Sequence, residues 1–293
     1  MSGDAVIVAL NSENGRATMT TFTTPTPITA NLTTAGAQVR VVASPRSDTV
    51  VQVRPLNSAN KTDVKVAEKT RVEFSGGDLR VETTKSGDRR GSVAITIELP
   101  AGSDLVLNTA WTDVRAEGDL GDCRLSTLSG SIRLERVSAV RGDLVESGVE
   151  IGHVAGAVEV DGGAGGLRLG EVVGEVRYAG SSGEVWIGHA HADVHLGGSN
   201  GSFTIDRADG NVTAEAANCP IRVGRMAGGQ AHLANASGGI EVGVARDVTA
   251  EVDATSTKGT VRNTLPTPTT AAPILRLHAR TRLNDIHIHP ATT

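Results

Sequence analysis

Between Ile132 and Val242 an apolar residue, any residue and a second apolar residue, followed by a small turn, recur seven times. The pairs are Ile132/Leu134, Val149/Ile151, Leu167/Leu169, Val185/Ile187, Phe203/Ile205, Ile221/Val223 and Ile240/Val242, starting 17, 18, 18, 18, 18 and 19 residues apart. About nine residues later a second alternating pair follows in the long units: Val158/Val160, Val176/Tyr178, Val194/Leu196, Val212/Ala214 and Ala231/Leu233. Alternation over three residues, bounded by Gly, Ser, Asn and Asp, is the signature of a short strand. Each period therefore holds two strands. Self-similarity at a fixed period marks a solenoid, whose units bury their apolar faces against their neighbours. The pattern predicts an all-β chain folded as a parallel β-solenoid of about 18 residues per coil, with coils stacked about 4.8 Å apart.

If the coils stack, residues at equal positions form columns. Val137, Val154, Val172, Ala190, Ala208, Met226 and Ala245 then line up as a third apolar file between the two strands. The outward file of the first strand reads Arg133, Glu150, Arg168, Trp186, Thr204, Arg222, Glu241. Opposite charges are adjacent at three of its steps, and neighbouring strands reward such pairs by about 0.2–1 kcal/mol each. The second strand repeats this with Glu159 beside Arg177.

The flanks are less regular. Residues 1–21 read as an N-terminal extension, and 22–120 as irregular, wider β coils that cap the stack, with strands clearest at Val39–Val42, Val50–Arg54, Val72–Phe74, Leu79–Val81 and Val93–Leu99. "LPAGSDL" (Leu99–Leu105) marks a turn, since proline removes a ladder donor and glycine permits the bend. Residues 121–263 are the regular repeat, 264–273 a Pro/Thr linker, and 274–293 a final strand pair expected to close the C-terminal end. Caps hide the open edges of terminal coils.

Composition narrows the function classes. Both charge signs are interspersed with a net of −5, so no basic stripe exists to neutralise phosphates, and nucleic acid is not an expected partner. The first residues carry Asp4 and only the short apolar run Ala5–Leu10, unlike a signal peptide. No stretch has transmembrane length, so no membrane partner is expected. Cys123 and Cys219 lie 96 residues apart without CxxC or metal-ligand spacing. Both read as free thiols, Cys123 in the core and Cys219 part-exposed in a turn. These features predict a soluble, cytoplasmic protein with no cofactor.

Several segments together resemble a bacterial putative-adhesin family of unknown function with β-strand repeats. They are "FTTPTPI", "VRVVASPRSDTVVQVRP", "VEFSGGDLRVET", "GSVAITIELPAGSDL", the repeated "SG.V.IG" turns and "KGTVRN". The resemblance spans nearly the whole chain. It implies a right-handed β-helix and a non-catalytic protein, and carries over no functional residue.

Candidate chemistry is sparse. "GHAHADVHL" holds His189, His191, Asp193 and His195, and imidazole with carboxylate suits zinc or nickel. The coil register, however, puts a turn between His189 and Val194, and the His189 column (Arg136, His153, Glu171, Arg207, Arg225) reads as a solvated edge. Asp285, His287 and His289 alternate with Ile286 and Ile288 and share a face, which serves either a metal or the polar side of an edge strand. No metal site is assigned on these patterns. Trp186 stands in an otherwise polar column, as a partner anchor or as a ring lying on Arg168.

Catalysis of the β-helix polysaccharide lyase or hydrolase type needs clustered carboxylates and a cleft. Here the acids fall one per coil beside arginines, and no loop is inserted from Val149 to Val223. The expected role is a protein-interaction or scaffold module, with an unknown protein partner or self-association. The alternatives are a self-assembling bactofilin-like structural protein and a glycan-binding surface adhesin.

Overall fold

The triplets fold as strands paired in parallel, each one coil beyond the last. The computed structural model describes residues 5–12, 15–83, 92–266 and 274–291, and the chain divides into two compact units, Met1–Ile151 and Gly152–Thr293. The division falls inside the regular repeat.

The first unit opens with β1 (Ala5–Ser12) and β2 (Gly15–Thr23), an antiparallel hairpin. Residues 1–21, expected as an extension, thus contain β1 and most of β2, while 1–4 and 13–14 lie outside the described residues. There follow β3 (Thr29–Ala35), β4 (Ala37–Ser44), β5 (Asp48–Pro55), the helix α1 (Lys61–Lys69), β6 (Arg71–Ser75), β7 (Asp78–Glu82), β8 (Val93–Pro100) and β9 (Asp104–Ala110). β10 (Asp113–Val154) winds on through the remaining coils and ends in the first residues of the second unit. The five strands expected between Val39 and Leu99 fall inside β4, β5, β6, β7 and β8.

Strand direction departs from a simple coil. One ladder runs β1–β2–β5–β8–β4–β10, antiparallel as far as β8 and parallel from there. The other runs β6–β7–β3–β9–β10, with only the β6–β7 step antiparallel. The coil β3–β4 therefore lies between the β7–β8 coil and the β9–β10 coil, out of chain order. The strand pattern does not anticipate α1. Asn60 caps it by accepting from the Thr62 N–H at 2.9 Å, and Asp63, Val66 and Ala67 face inward against β5 and β8. At the "LPAGSDL" turn Gly102 has φ +80°, and the buried Ser103 hydroxyl donates to the Pro100 carbonyl at 2.7 Å.

The second unit contains β11 (Val158–Gly162), β12 (Leu167–Val172), β13 (Val176–Ala190), β14 (Val194–Ala208), β15 (Val212–Asn218), β16 (Ile221–Met226), β17 (Gln230–Ser237), β18 (Ile240–Val244), β19 (Thr249–Ser256), β20 (Val261–Asn263), β21 (Ile274–Thr281) and β22 (Ile286–Pro290). It is a parallel β-solenoid. One ladder runs β12–β13–β14–β16–β18–β22–β20, the other β11–β13–β14–β15–β17–β21–β19, and each step is parallel. Val185 pairs with Phe203 and Phe203 with Ile221, as the triplets require. Val154, Val172, Ala190, Ala208 and Met226 are all 0 % exposed. The next member of that file is Val244 and not Ala245, because the register shifts between Val223 and Met226.

Glycines fit the corners to this packing. Gly201 has φ +115°, and a Cβ there would lie 2.0 Å from the Gly183 carbonyl oxygen. Gly180 makes room for Tyr178, whose hydroxyl would sit 2.2 Å from a Cβ at that position.

The C-terminal strands differ from expectation. β21 pairs with β17 on one side and β19 on the other, and β22 likewise sits between β18 and β20. The coil β21–β22 is thus internal, and β19–β20 is the outermost layer of its unit. Apolar content explains this order. Leu275, Leu277, Ala279, Ile286 and Ile288 are 0 % exposed, whereas Val261 in β20 is 39 % exposed. Of the expected linker, residues 267–273 lie outside the described residues. No helix among the described residues is long and apolar enough to cross a membrane.

Candidate histidine and arginine sites

Stacking at a period of about 18 residues turns sequence separation into proximity. Glu171, His189 and Arg207 occupy one outward column at the ends of β12, β13 and β14. Two residues further on, His191 and Asp209 begin the following turns. His189 Nε2 lies 2.7 Å from Asp209 Oδ2, and His191 Nε2 lies 2.8 Å from Glu171 Oε1. The two imidazole rings are 3.8 Å apart. His191 Nδ1 faces Asp209 Oδ2 at 3.6 Å, and His153 Nδ1 reaches Glu171 Oε2 at 3.4 Å. One ligand atom each from Glu171, His189 and His191 falls within 4.8 Å of the others, the one such triad among the described residues.

The carboxylates respond to this company. Hydrogen bonds from His191 and then His153 hold the Glu171 carboxyl below its ordinary range. Burial alone would raise the Asp209 carboxyl, but hydrogen bonds from His189 and Arg207, with the charge of Arg207, outweigh it and lower it.

The four residues of "GHAHADVHL" therefore separate. His189 and His191 converge with Glu171, whereas Asp193 accepts from the Asn211 N–H at 2.9 Å and from its side-chain amide at 3.1 Å. Those Asn211 bonds lower the Asp193 carboxyl. His195 pairs with Glu175 at 3.2 Å. Glu171 is visible in the sequence only as a member of the His189 column, where its charge suits solvent equally well.

The second group does not close. Asp285 Oδ1 accepts from the Thr260 N–H at 2.7 Å. His289 Nδ1 is bonded to the Pro290 carbonyl at 2.8 Å and Nε2 lies 3.3 Å from Glu241. The His287 ring stacks 4.9 Å from that of His289. Trp186 is half-buried, with the Arg168 guanidinium 5.1 Å from its ring centroid and Gly188 so close that a Cβ there would meet the ring at 3.1 Å.

Both cysteines are buried. Cys123 is 1 % exposed, with its thiol pushed up to about 12, chiefly by burial. Cys219, expected to be part-exposed, is 0 % exposed because it occupies a corner slot under Gly238, and burial raises its thiol too.

The first unit has a different surface. Residues of β4, β5, β8 and β10 line a shallow groove of about 320 Å³ that carries Arg40, Arg54, Arg115 and Arg133. Its acid, Asp113, has one oxygen held by the Ser131 N–H at 3.0 Å and the Ser131 hydroxyl at 2.9 Å. Glu117 bridges Arg40 (2.9 Å) and Arg115 (3.0 Å), and Glu150 reaches Arg133 at 3.4 Å. The three arginines remain 59 %, 69 % and 64 % exposed at their side chains. Two residues before Asp113, Trp111 is 38 % exposed and adopts φ +50°, the one non-glycine residue among those described in the left-handed region. Composition, in which charges balance overall, hides this local clustering.

Residues 26–272 match the family described as Toastrack DUF4097, and the chain belongs to that family. No curated protein matches it in sequence. Among solved structures, it is similar to a putative adhesin from Parabacteroides distasonis at 10 % identity, covering 94 % of this chain and 98 % of that one with a TM-score of 0.39. A putative cell adhesion protein from Clostridium sporogenes is similar at 9 % identity, covering 98 % and 99 %, with a TM-score of 0.22. A putative adhesin from Parabacteroides merdae gives 10 % identity, 93 % and 97 % coverage and a TM-score of 0.38.

Proposed function

We propose that this member of the Toastrack DUF4097 family is a non-catalytic interaction module that binds an acidic segment of a protein partner through the arginine groove of its first unit. One observation carries the reading: Arg40, Arg54, Arg115 and Arg133 line a single groove. Arginine forks on fixed strands are preorganised for carboxylates, and the shallow groove suits an extended segment better than a small substrate. Trp111, exposed and held in a sparsely populated conformation close by in the chain, is of the residue type that anchors interfaces.

Filament growth of the bactofilin kind is less favoured, because the antiparallel β1–β2 hairpin is not a coil that another coil would continue. Two unpaired, buried thiols support an intracellular setting, where thiols stay reduced. The test is capture from an extract of the producing organism, with cross-links mapped by mass spectrometry. The expected partner is retained by the wild-type chain, released by salt, and retained at least about tenfold less by the double variant Arg40→Glu, Arg115→Glu. Retention that survives both substitutions, or cross-links confined to the second unit, contradicts the proposal. Binding of an acidic glycan instead of a protein also overturns it and returns the chain to the adhesin reading.

A further inference from the structure

We propose that Glu171, His189 and His191 form a surface site for one divalent transition-metal ion of the zinc type. Three lines of geometry converge on it. First, their ligand atoms already lie within 4.8 Å of one another, and ligands of a tetrahedral zinc ion sit about 3.4 Å apart. Closing the triad takes movements of up to about 1.4 Å between ligand atoms, on side chains that are exposed (Glu171, His191) or half-buried (His189). Second, the scaffold is stiff where it matters. Glu171 and His189 are register partners on adjacent parallel strands, which sets their side chains on one outward face. Third, the donor set is chemically suited, since two imidazoles and a carboxylate form the ligand set of many three-ligand zinc sites, with the remaining position open.

The local charge favours a cation. Asp209 is compensated by Arg207, whose Nε lies 3.0 Å from Oδ1, so Glu171 supplies the uncompensated carboxylate beside the two imidazoles. Asp209 Oδ2 also lies within reach of both histidines, at 2.7 and 3.6 Å, and would orient their rings from outside the triad. The competing explanation is a set of solvent-exposed ion pairs, which would contribute little and bind nothing. The other histidine pair makes an internal control. Glu241 reaches His289 Nε2 at 3.3 Å, but His289 spends its other ring nitrogen on the Pro290 carbonyl and Asp285 is bonded to the Thr260 N–H, and no triad of ligand atoms closes around His287 and His289 among the described residues. This inference is independent of the arginine groove.

The experiment is isothermal titration of the full, untagged chain with zinc chloride, repeated for Glu171→Gln, His189→Ala, His191→Ala and the double variant His287→Ala, His289→Ala, with circular dichroism to check folding. The expected result is one ion per chain, reversed by EDTA. Each of the three single substitutions weakens binding at least about tenfold, and the double variant leaves it unchanged. Cobalt(II) substituted into the wild-type chain should show the visible bands of a low-coordinate ion and lose them in His191→Ala. No saturable binding, binding indifferent to all three single substitutions, or binding lost in the His287, His289 double variant each overturns the proposal.

Discussion

The two units solve the same problem, an open stack of strands, by different means. The second unit is parallel at every step, and it terminates by placing an apolar late coil, β21–β22, inside a more polar one, β19–β20. The first unit also reorders its coils, with β3–β4 between two later ones, but it adds antiparallel strands and a helix. The difference teaches where surface chemistry can be read by counting. In parallel coils of constant length, residues 18 apart are neighbours, so Glu171 meets His189 and Asp193 meets Asn211. In the first unit Arg40 and Arg115 are neighbours across 75 positions, and no period announces it.

The largest effect should appear at glycines, and it separates corner positions from open ones in both units alike: Gly130 in the first unit, at φ +130° with a Cβ 2.0 Å from the Thr112 carbonyl oxygen, is as tight as Gly201 in the second. Gly201→Val in the second unit forces a side chain into the Gly183 carbonyl at φ +115° and is expected to cost about 3 kcal/mol or more. Gly148→Val in the first unit meets nothing within 4 Å and should stay within about 0.5 kcal/mol. Denaturant unfolding measures both, and equal costs would show that the corner packing is misdescribed.

A smaller effect is expected alike in both units, at their carboxylates. Asp48 in the first unit is lowered chiefly by its hydrogen bond to Arg46. Asp209 in the second is lowered from its ordinary 3.8 by His189 and Arg207 against the opposing effect of burial. A depressed folded value means that the stabilisation is present above the unfolded pKa and is lost as pH falls through the folded one. Asp48→Asn and Asp209→Asn should each reduce stability by less than about 1 kcal/mol at neutral pH. Both differences should vanish in acid, and a difference that grew as pH fell would reverse the sign assigned here.

Much of the fold is legible in the residues, and the reasons for the exceptions are physical. The paired triplets from Val149 to Val242 fix the coil length and register, because each inward side chain is tied to its neighbour one coil away. Strand positions in the first unit were readable from alternation, but strand direction was not, since period two is the same either way. Helix α1 is short, and its cap, Asn60, with Asp63 in its first turn, lies in a polar stretch that also reads as a loop. Of the site residues, His189 and His191 stand out by type. Glu171 does not, because an acid on an outward column fits a ligand and a solvated face equally well. The weak apolar pattern of 249–263 beside the strong one of 274–290 is the sequence trace of the reordered C-terminal coils.

Coil order in the second unit is the premise on which its columns rest, and it can be tested directly by cross-linking. His232, His278 and Asp253 occupy one outward column on β17, β21 and β19. The pair His232→Cys, His278→Cys brings Cα atoms of adjacent strands about 5 Å apart, within disulfide range. The pair His232→Cys, Asp253→Cys places them two coils apart, about 10 Å, beyond it. Mild oxidation followed by mass spectrometry should find a disulfide in the first pair and free thiols in the second. A disulfide in the second pair and none in the first would mean that the coils stack in chain order.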